Sequence, residues 1–346
     1  MIAASPQSNQ QNPVNRQAVS LPDWQQALAQ AVTDPAELLS ILNLDPALLP
    51  AAQAAAKLFP LRVPRSFVAR MQPGNPADPL LLQVLPLGAE LQETRGFSAD
   101  PVGDIASRIA PGVLHKYEGR ALLIATGACA VHCRYCFRRH FPYGDELASA
   151  GQWQAAVAAI RADTSLREVI LSGGDPLSLN DRRLRDLGRQ LEQIPHVTRL
   201  RIHSRQPIVL PERVDAGLLA WLGSMPLQTV MVLHANHAQE IDASVRRACQ
   251  ALTHAGVRLF NQAVLLKGVN DTVPALVDLS ETLFDAGIQP YYLHLLDRVQ
   301  GAAHFEVSEV QAQTLMRELI AALPGYLVPR LVREISGHAS KTPVPF

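Results

Sequence analysis

The run Gly127-Ala-Cys129-Ala-Val-His132-Cys133-Arg-Tyr135-Cys136-Phe-Arg138-Arg139 decides how this chain is read. It comes directly after an apolar stretch at residues 121–126 that reads as a buried strand, so three thiols fall just beyond a strand end. Thiolate is the soft ligand that iron–sulfur clusters require, and three in C-x3-C-x2-C spacing can hold three irons of a [4Fe-4S] cluster while the fourth stays open. An open iron is a place for chemistry. Other readings stand beside it: a zinc site completed by His132 or His140, a disulfide, or buried thiols without a ligand.

Outward from that run the pattern alternates. Short apolar stretches, often β-branched or aromatic, lie at residues 121–126, 168–172, 199–203, 229–234, 258–265 and 290–295. Helical patterns at 153–162, 181–193, 214–222, 238–255 and 273–286 separate them, and another at 307–323 follows the last. Six such units predict an α/β fold, an incomplete (β/α)6 parallel barrel, with a flat doubly wound sheet as the alternative. In a barrel, chemistry gathers at the carboxyl ends of the strands. Cys129, Gly173-Gly174-Asp175, His203-Ser204-Arg205, His234, Gln262 and Asp297 each lie at or just beyond such an end, so they are expected to face one mouth.

Composition narrows the function. The chain has 346 residues, 48% of them apolar, enough for a sizeable core. Lys+Arg and Asp+Glu both number 31, which leaves no net charge and no electrostatic footprint for nucleic acid or an anionic membrane. Small-molecule chemistry is the default. Four cysteines, three of them clustered, do not make a secreted disulfide framework, and Cys249 sits in a helical pattern that predicts core packing. Residues 1–20 are rich in Gln, Asn, Ser and Pro without the regions of a signal peptide, and they read as a disordered tail. No run of 18 or more apolar residues occurs, so no membrane span is expected, and a cytoplasmic location suits an oxygen-sensitive cluster. Residues 21–110 read as a helical and wrapping region, with helices over 23–32, 34–42 and 45–59 that each begin near a capping Asp. Within it the run Leu80-Leu-Leu-Gln-Val-Leu85 is strand-like. Residues 111–300 make the barrel, and 301–346 add a helix and a C-terminal segment.

Taken alone, Ser172-Gly-Gly-Asp-Pro176 is most simply a turn whose glycines let backbone approach closely. Likewise, Lys341 in Ser336-Gly-His-Ala-Ser-Lys341-Thr-Pro-Val is by default a solvated charge, although over a barrel mouth it can bind an aldehyde cofactor covalently. Jointly, the cysteine run, Leu171-Ser-Gly-Gly-Asp-Pro, His234-Ala-Asn-His, Asn261-Gln-Ala-Val-Leu-Leu-Lys-Gly-Val-Asn-Asp271, Pro290-Tyr-Tyr-Leu-His-Leu-Leu-Asp297 and Lys341-Thr-Pro-Val resemble the lysine 2,3-aminomutase family of radical S-adenosylmethionine (SAM) enzymes. The short chain looks most like the subgroup that serves β-lysylation of elongation factor P.

The resemblance implies three cofactors and a substrate. Cys129, Cys133 and Cys136 match the cluster ligands, Tyr135 lies where an aromatic residue meets the adenine, and Gly173, Gly174 and Asp175 match the segment that holds the amino group of SAM. Lys341 matches the lysine that anchors pyridoxal 5′-phosphate (PLP). Lys116, Tyr117 and Arg120 match the segment near its phosphate, with Lys116 where the family has Arg. His234 and Gln262 match positions beside SAM and PLP. Arg138 matches the group that grips the substrate α-carboxylate, and Asp297 and Glu334 match the pair around the lysine ε-ammonium, with Glu334 where the lysine mutases have Asp.

The implied reaction converts L-lysine to (R)-β-lysine through a 5′-deoxyadenosyl radical. Its implied partners are an electron donor such as flavodoxin or ferredoxin and the ligase that attaches β-lysine to elongation factor P. Thr272 stands where long family members carry a zinc-binding cysteine, and the sequence ends at Phe346, so no structural zinc and no tetramer built on it are expected. Two rival readings are an aminomutase for another basic amino acid, such as arginine or ornithine, and a zinc-binding protein without catalysis.

Overall fold

In a computed structural model the chain is described over residues 23–144 and 152–346; the tail expected over residues 1–20 lies outside the described residues. Its strands hydrogen-bond in chain order as one sheet: β1 (Arg108–Ala110), β2 (Val113–Tyr117), β3 (Arg120–Thr126), β4 (Glu168–Gly173), β5 (Arg199–Ser204), β6 (Gln228–Leu233), β7 (Arg258–Val264), β8 (Gln289–His294), β9 (Arg330–Arg333) and β10 (Thr342–Pro343). From β3 to β9 every neighbouring pair is parallel. The antiparallel pairs β1–β2, β2–β3 and β9–β10 finish the two edges. A doubly wound sheet reverses its strand order at a switch point. Here the order never reverses, so the sheet winds one way into an incomplete barrel whose first and last strands do not pair.

Each of the six expected strands forms within one residue of its sequence limits. The seventh parallel strand, β9, escapes sequence reading because four residues are too short to show a period, although Leu331 and Val332 are buried. The strand-like run at residues 80–85 is instead a helical turn, Pro79–Leu82. Its start explains why: the Asp78 carboxylate accepts from the backbone N–H of Leu80 and Leu81, both at 2.9 Å, and Pro79 supplies a preset φ at the first helical position.

The crossover helices begin on side-chain caps that are visible in the sequence. Asn180 caps Asp181–Glu192, Asp215 caps Ala216–Gly223, Asp242 caps Ala243–His254 and Ser308 caps Glu309–Ala322. The apolar faces of these helices pack on the outside of the sheet, and Cys249 is one of the residues buried there. A second core joins Trp24, Leu38, Phe67, Leu80 and Leu81 to Ala130 and Val131 of the cysteine run, with Cys133 packed at its margin. The N-terminal helical region thus supports the cysteine run from behind. No helix among the described residues is long and apolar enough to cross a membrane.

Alternate residues of the strands point inward. Ile170 and Ser172 of β4, Arg201 and His203 of β5, Gln262 and Val264 of β7, and Tyr292 and His294 of β8 all line one cavity of about 590 Å³. The chain from 96 to 104 straps the mouth: Ser98 N–H donates to the Arg298 carbonyl (2.9 Å), and its carbonyl accepts from Gln300 N–H (2.9 Å).

Candidate active site

The residues that the family resemblance implies for cofactors, substrate and cluster line that cavity: Cys129, Cys133, Cys136, Lys116, Tyr117, Arg120, Arg138, Gly173, Gly174, Asp175, His234, Gln262, Asp297, Glu334 and Lys341; the zinc candidate His140 and Ser204 do not. Residues more than 200 positions apart meet there because consecutive winding brings β9 and the segment after it back to face β2 and β3. Tyr117 Oη donates to Glu334 Oε1 at 2.5 Å, and Lys341 Nζ donates to Glu334 Oε2 at 3.0 Å.

The three thiols are free and half-buried. Burial pushes the Cys129 thiol well up and the Cys136 thiol up to about 11. A buried thiol gives up its proton readily to a coordinating cation, which is the chemistry an iron site needs. Among the described residues no three Cys, His, Asp or Glu side chains gather as a ready site for one metal ion. A cluster asks less convergence of its ligands, because it takes each thiolate on a different iron.

Ion pairs that the sequence does not reveal hold the cysteine run. Arg134, wholly buried between Cys133 and Tyr135, pairs with Glu90 and donates to the Phe59 carbonyl (2.7 Å). Arg139 also donates to Glu90 (2.8 Å). The Gly-Gly-Asp turn braces the same run from the barrel side. Gly174 N–H donates to the Thr126 carbonyl (2.7 Å), and Asp175 N–H donates to the Ala128 carbonyl (2.8 Å). These bonds take up the N–H groups of Gly174 and Asp175. The Asp175 carboxylate is likewise occupied, accepting from Ser204 Oγ (2.8 Å), Arg205 N–H (2.8 Å) and Leu177 N–H (3.0 Å).

Glycine is required at 173 and 174 by closeness. A Cβ on Gly174 falls 2.5 Å from the Ala128 carbonyl oxygen, and Gly173 adopts φ +114 with a Cβ position 2.6 Å from the Thr126 oxygen. Gly174→Ala is therefore expected to push residues 127–129 outward at a cost of roughly 1–3 kcal/mol, and to lower iron loading. Thermal unfolding and iron content together check this.

Elsewhere in the cavity lining the charges pair with one another. Asp104, in the strap, sits between two cations: Arg138 Nε at 2.6 Å and Lys116 Nζ at 2.6 Å. Arg138 also donates to Ser172 Oγ (3.0 Å), and Lys116 to the Val102 carbonyl (2.8 Å). These two cations line the cavity and share an internal carboxylate, a pairing the sequence does not show. Asp104 lies in a Pro-rich stretch without periodicity, and nothing local marks it. Glu334 is likewise not an open acceptor for a substrate ammonium, since its oxygens take Tyr117 and Lys341.

Burial pushes the Asp297 carboxyl up to about 7, with the Glu334 charge adding to the rise and the Lys341 ammonium opposing it. Burial also holds His234 down to about 3, so it is a neutral imidazole whose Nε2 accepts from the Gln262 amide at 2.9 Å. His203 and His294 are held well below the ordinary range by burial, and their Nε2 atoms have no hydrogen-bond partner. They offer this cavity two polar groups ready for a ligand.

Charged and polar groups gathered in a cavity at the carboxyl ends of a parallel barrel define the chain as an enzyme. No protein-family model matches it. It is 53% identical over 323 residues to the L-lysine 2,3-aminomutase of Escherichia coli (93% of this chain, 94% of that one) and 48% identical over 332 residues to the Haemophilus influenzae enzyme of the same name (96% and 97%). The Clostridium subterminale L-lysine 2,3-aminomutase is 32% identical over 323 residues (93% and 77%). Among solved structures, a radical SAM methyltransferase from Sphaerobacter thermophilus is similar with a TM-score of 0.48 at 18% identity, covering 64% of this chain and 68% of that one. The chain belongs to the L-lysine 2,3-aminomutase family, a family of isomerases.

Proposed function

We infer that this isomerase converts L-lysine to (R)-β-lysine with a [4Fe-4S] cluster, SAM and PLP. The observation that carries the reading is the single cavity shared by the three thiols and Lys341. When bound, the cluster and SAM supply a 5′-deoxyadenosyl radical that takes hydrogen from the substrate β-carbon, and PLP supplies the π system across which the amino group migrates. The protein's own part is to bind, orient and exclude water that quenches radicals.

Cys129, Cys133 and Cys136 hold the irons. Gly173, Gly174 and Asp175 shape the wall beside SAM, chiefly by fixing the cysteine run, and Tyr135 meets the adenine. Lys341 anchors PLP, with Lys116, Tyr117 and Arg120 at its phosphate and His234 and Gln262 beside both cofactors. Arg138 receives the substrate carboxylate. Asp104 pairs with both Lys116 and Arg138, so a phosphate or carboxylate would compete with it for these cations. Lys341 would hold PLP, and Glu334, its present partner, would join Asp297 in binding the substrate ε-ammonium. Two carboxylates there repel an acidic substrate.

This assignment gives lysine affinity a pH dependence. Asp297 binds a cation only when ionised, and its carboxyl titrates at about 7 among Lys341, Glu334, Lys116 and Asp104. With Lys341 taken up by PLP the ammonium that opposes this rise is gone, so in the loaded enzyme the carboxyl is expected to titrate above that value and the apparent KM for lysine to rise as pH falls through it. Asp297→Asn should raise KM and erase the inflection. A KM profile for both proteins between pH 6 and 8.5 checks this.

We place the reaction in the cytoplasm, with flavodoxin or ferredoxin as electron donor and the product passed to the ligase that modifies elongation factor P. Lysine is separated from the other basic amino acids by offering lysine, arginine and ornithine to the anaerobically reconstituted protein. Lysine is expected to react fastest; a preference for arginine or ornithine would remove the substrate assignment and leave the chemistry.

A further inference from the structure

Behind the cysteine run lies a buried charge that the reaction described above leaves without a task. Arg205 follows β5, and both terminal nitrogens of its guanidinium are held while its buried Nε has no partner. Nη2 donates to Gln83 Oε1 (2.6 Å) and Glu240 Oε2 (3.0 Å), and Nη1 donates to Cys133 Sγ (2.8 Å). Its faces lie against the rings of Phe67 (5.4 Å) and Tyr135 (5.6 Å), and its backbone N–H is held by Asp175 (2.8 Å).

The partners are as firmly held. Glu240 Oε1 accepts from Asn236 N–H (2.8 Å), Gln83 Nε2 (3.1 Å) and His237 N–H (3.2 Å). Asn236 Nδ2 donates to Gln83 Oε1 (2.9 Å) and Tyr135 Oη (2.7 Å). A planar fork locked in this way cannot swing away from the sulfur, and its positive end points at Cys133 while Glu240 sits behind it.

We propose that Arg205 sets the reduction potential of the cluster, by donating a charge-assisted hydrogen bond to Cys133, and that Glu240 moderates it from behind. The proposal rests on the reading of Cys133 as a cluster ligand. Reduction adds one electron to the cluster and its thiolates, and a fixed cationic donor at a ligating sulfur stabilises that added charge in a low-dielectric interior. Arg205 lines the cavity beside the thiols, and the role assigned to it acts through Cys133, so it is a positioning residue. Its effect is on how readily the electron donor loads the cluster.

Two substitutions separate this from a purely structural clamp, because the signs are opposite. Arg205→Lys keeps a cation for Glu240 and loses the second arm of the fork, so the potential should fall. Glu240→Gln keeps the shape and removes the opposing charge, so the potential should rise. The readout is a redox titration of the reconstituted full chain followed by electron paramagnetic resonance, without SAM, at equal iron and sulfide content. At a fixed solution potential the ratio of reduced to oxidised cluster should fall about tenfold in Arg205→Lys, about 59 mV for one electron, and should increase in Glu240→Gln.

A loaded Arg205→Lys protein with an unchanged potential overturns the proposal. Should Arg205→Lys fail to load iron, Glu240→Gln decides alone, and an unchanged or lowered potential there overturns it. An unaltered protein that binds no iron removes the cluster reading itself, and this proposal with it.

Discussion

Cys133→Ala is expected to reduce SAM cleavage to background and to lose the cluster on purification, while leaving the fold in place. The side chain lies at the margin of the N-terminal core, so losing its sulfur opens little space in the packing. What changes is chemical. Two thiolates cannot hold three irons, and Arg205 loses the acceptor of its Nη1 donor while keeping Gln83 and Glu240. Iron and sulfide content, the visible absorbance of the cluster and release of 5′-deoxyadenosine all check this. A Cys133→Ala protein that keeps a full cluster and cleaves SAM would show that the three cysteines do not act together.

Lys341→Ala is expected to have the opposite profile, with the cluster intact, PLP absorbance lost and turnover at background. The cluster should survive because the contacts of Lys341, Glu334 and the Tyr292 ring, include none of the three thiols. The loss also leaves two acidic groups with less cationic support, since Lys341 pairs with Glu334 and helps to hold the Asp297 carboxyl down. In the variant Asp297 should therefore titrate higher still. Full PLP absorbance with normal turnover in Lys341→Ala would mean that another residue anchors the aldehyde.

How far the sequence reveals the molecule depends on the range of the forces involved. The barrel strands are legible because each is a run of apolar residues between Gly, Pro and capping side chains, whereas one-way winding is decided by the strand order, since a doubly wound sheet alternates with helices in the same way. β9 and the turn at Pro79–Leu82 are not legible by period. The first is too short, and the second is decided by the single cap at Asp78.

In the cavity, residue types at strand ends are readable from the sequence, but their pairings are not. Asp104 reaches Arg138 across 34 positions and Tyr117 reaches Glu334 across 217, and no local signal reports such contacts. The same holds for Glu90 beneath Arg134 and Arg139, and for Gln83 and Glu240 around Arg205. Asp175 shows the limit from the other side. Its motif marks the place, yet its carboxylate is occupied by Ser204 and by backbone N–H groups of three residues.

The central claim is that one cavity unites an iron lacking a protein ligand with a cofactor anchored at Lys341. Its most direct test is chiral analysis of the product made from L-lysine by anaerobically reconstituted protein, with SAM and PLP each supplied or omitted. The account predicts (R)-β-lysine when both are present and none when either is left out. Fully loaded protein that makes no β-lysine, or that makes it without SAM, would contradict it.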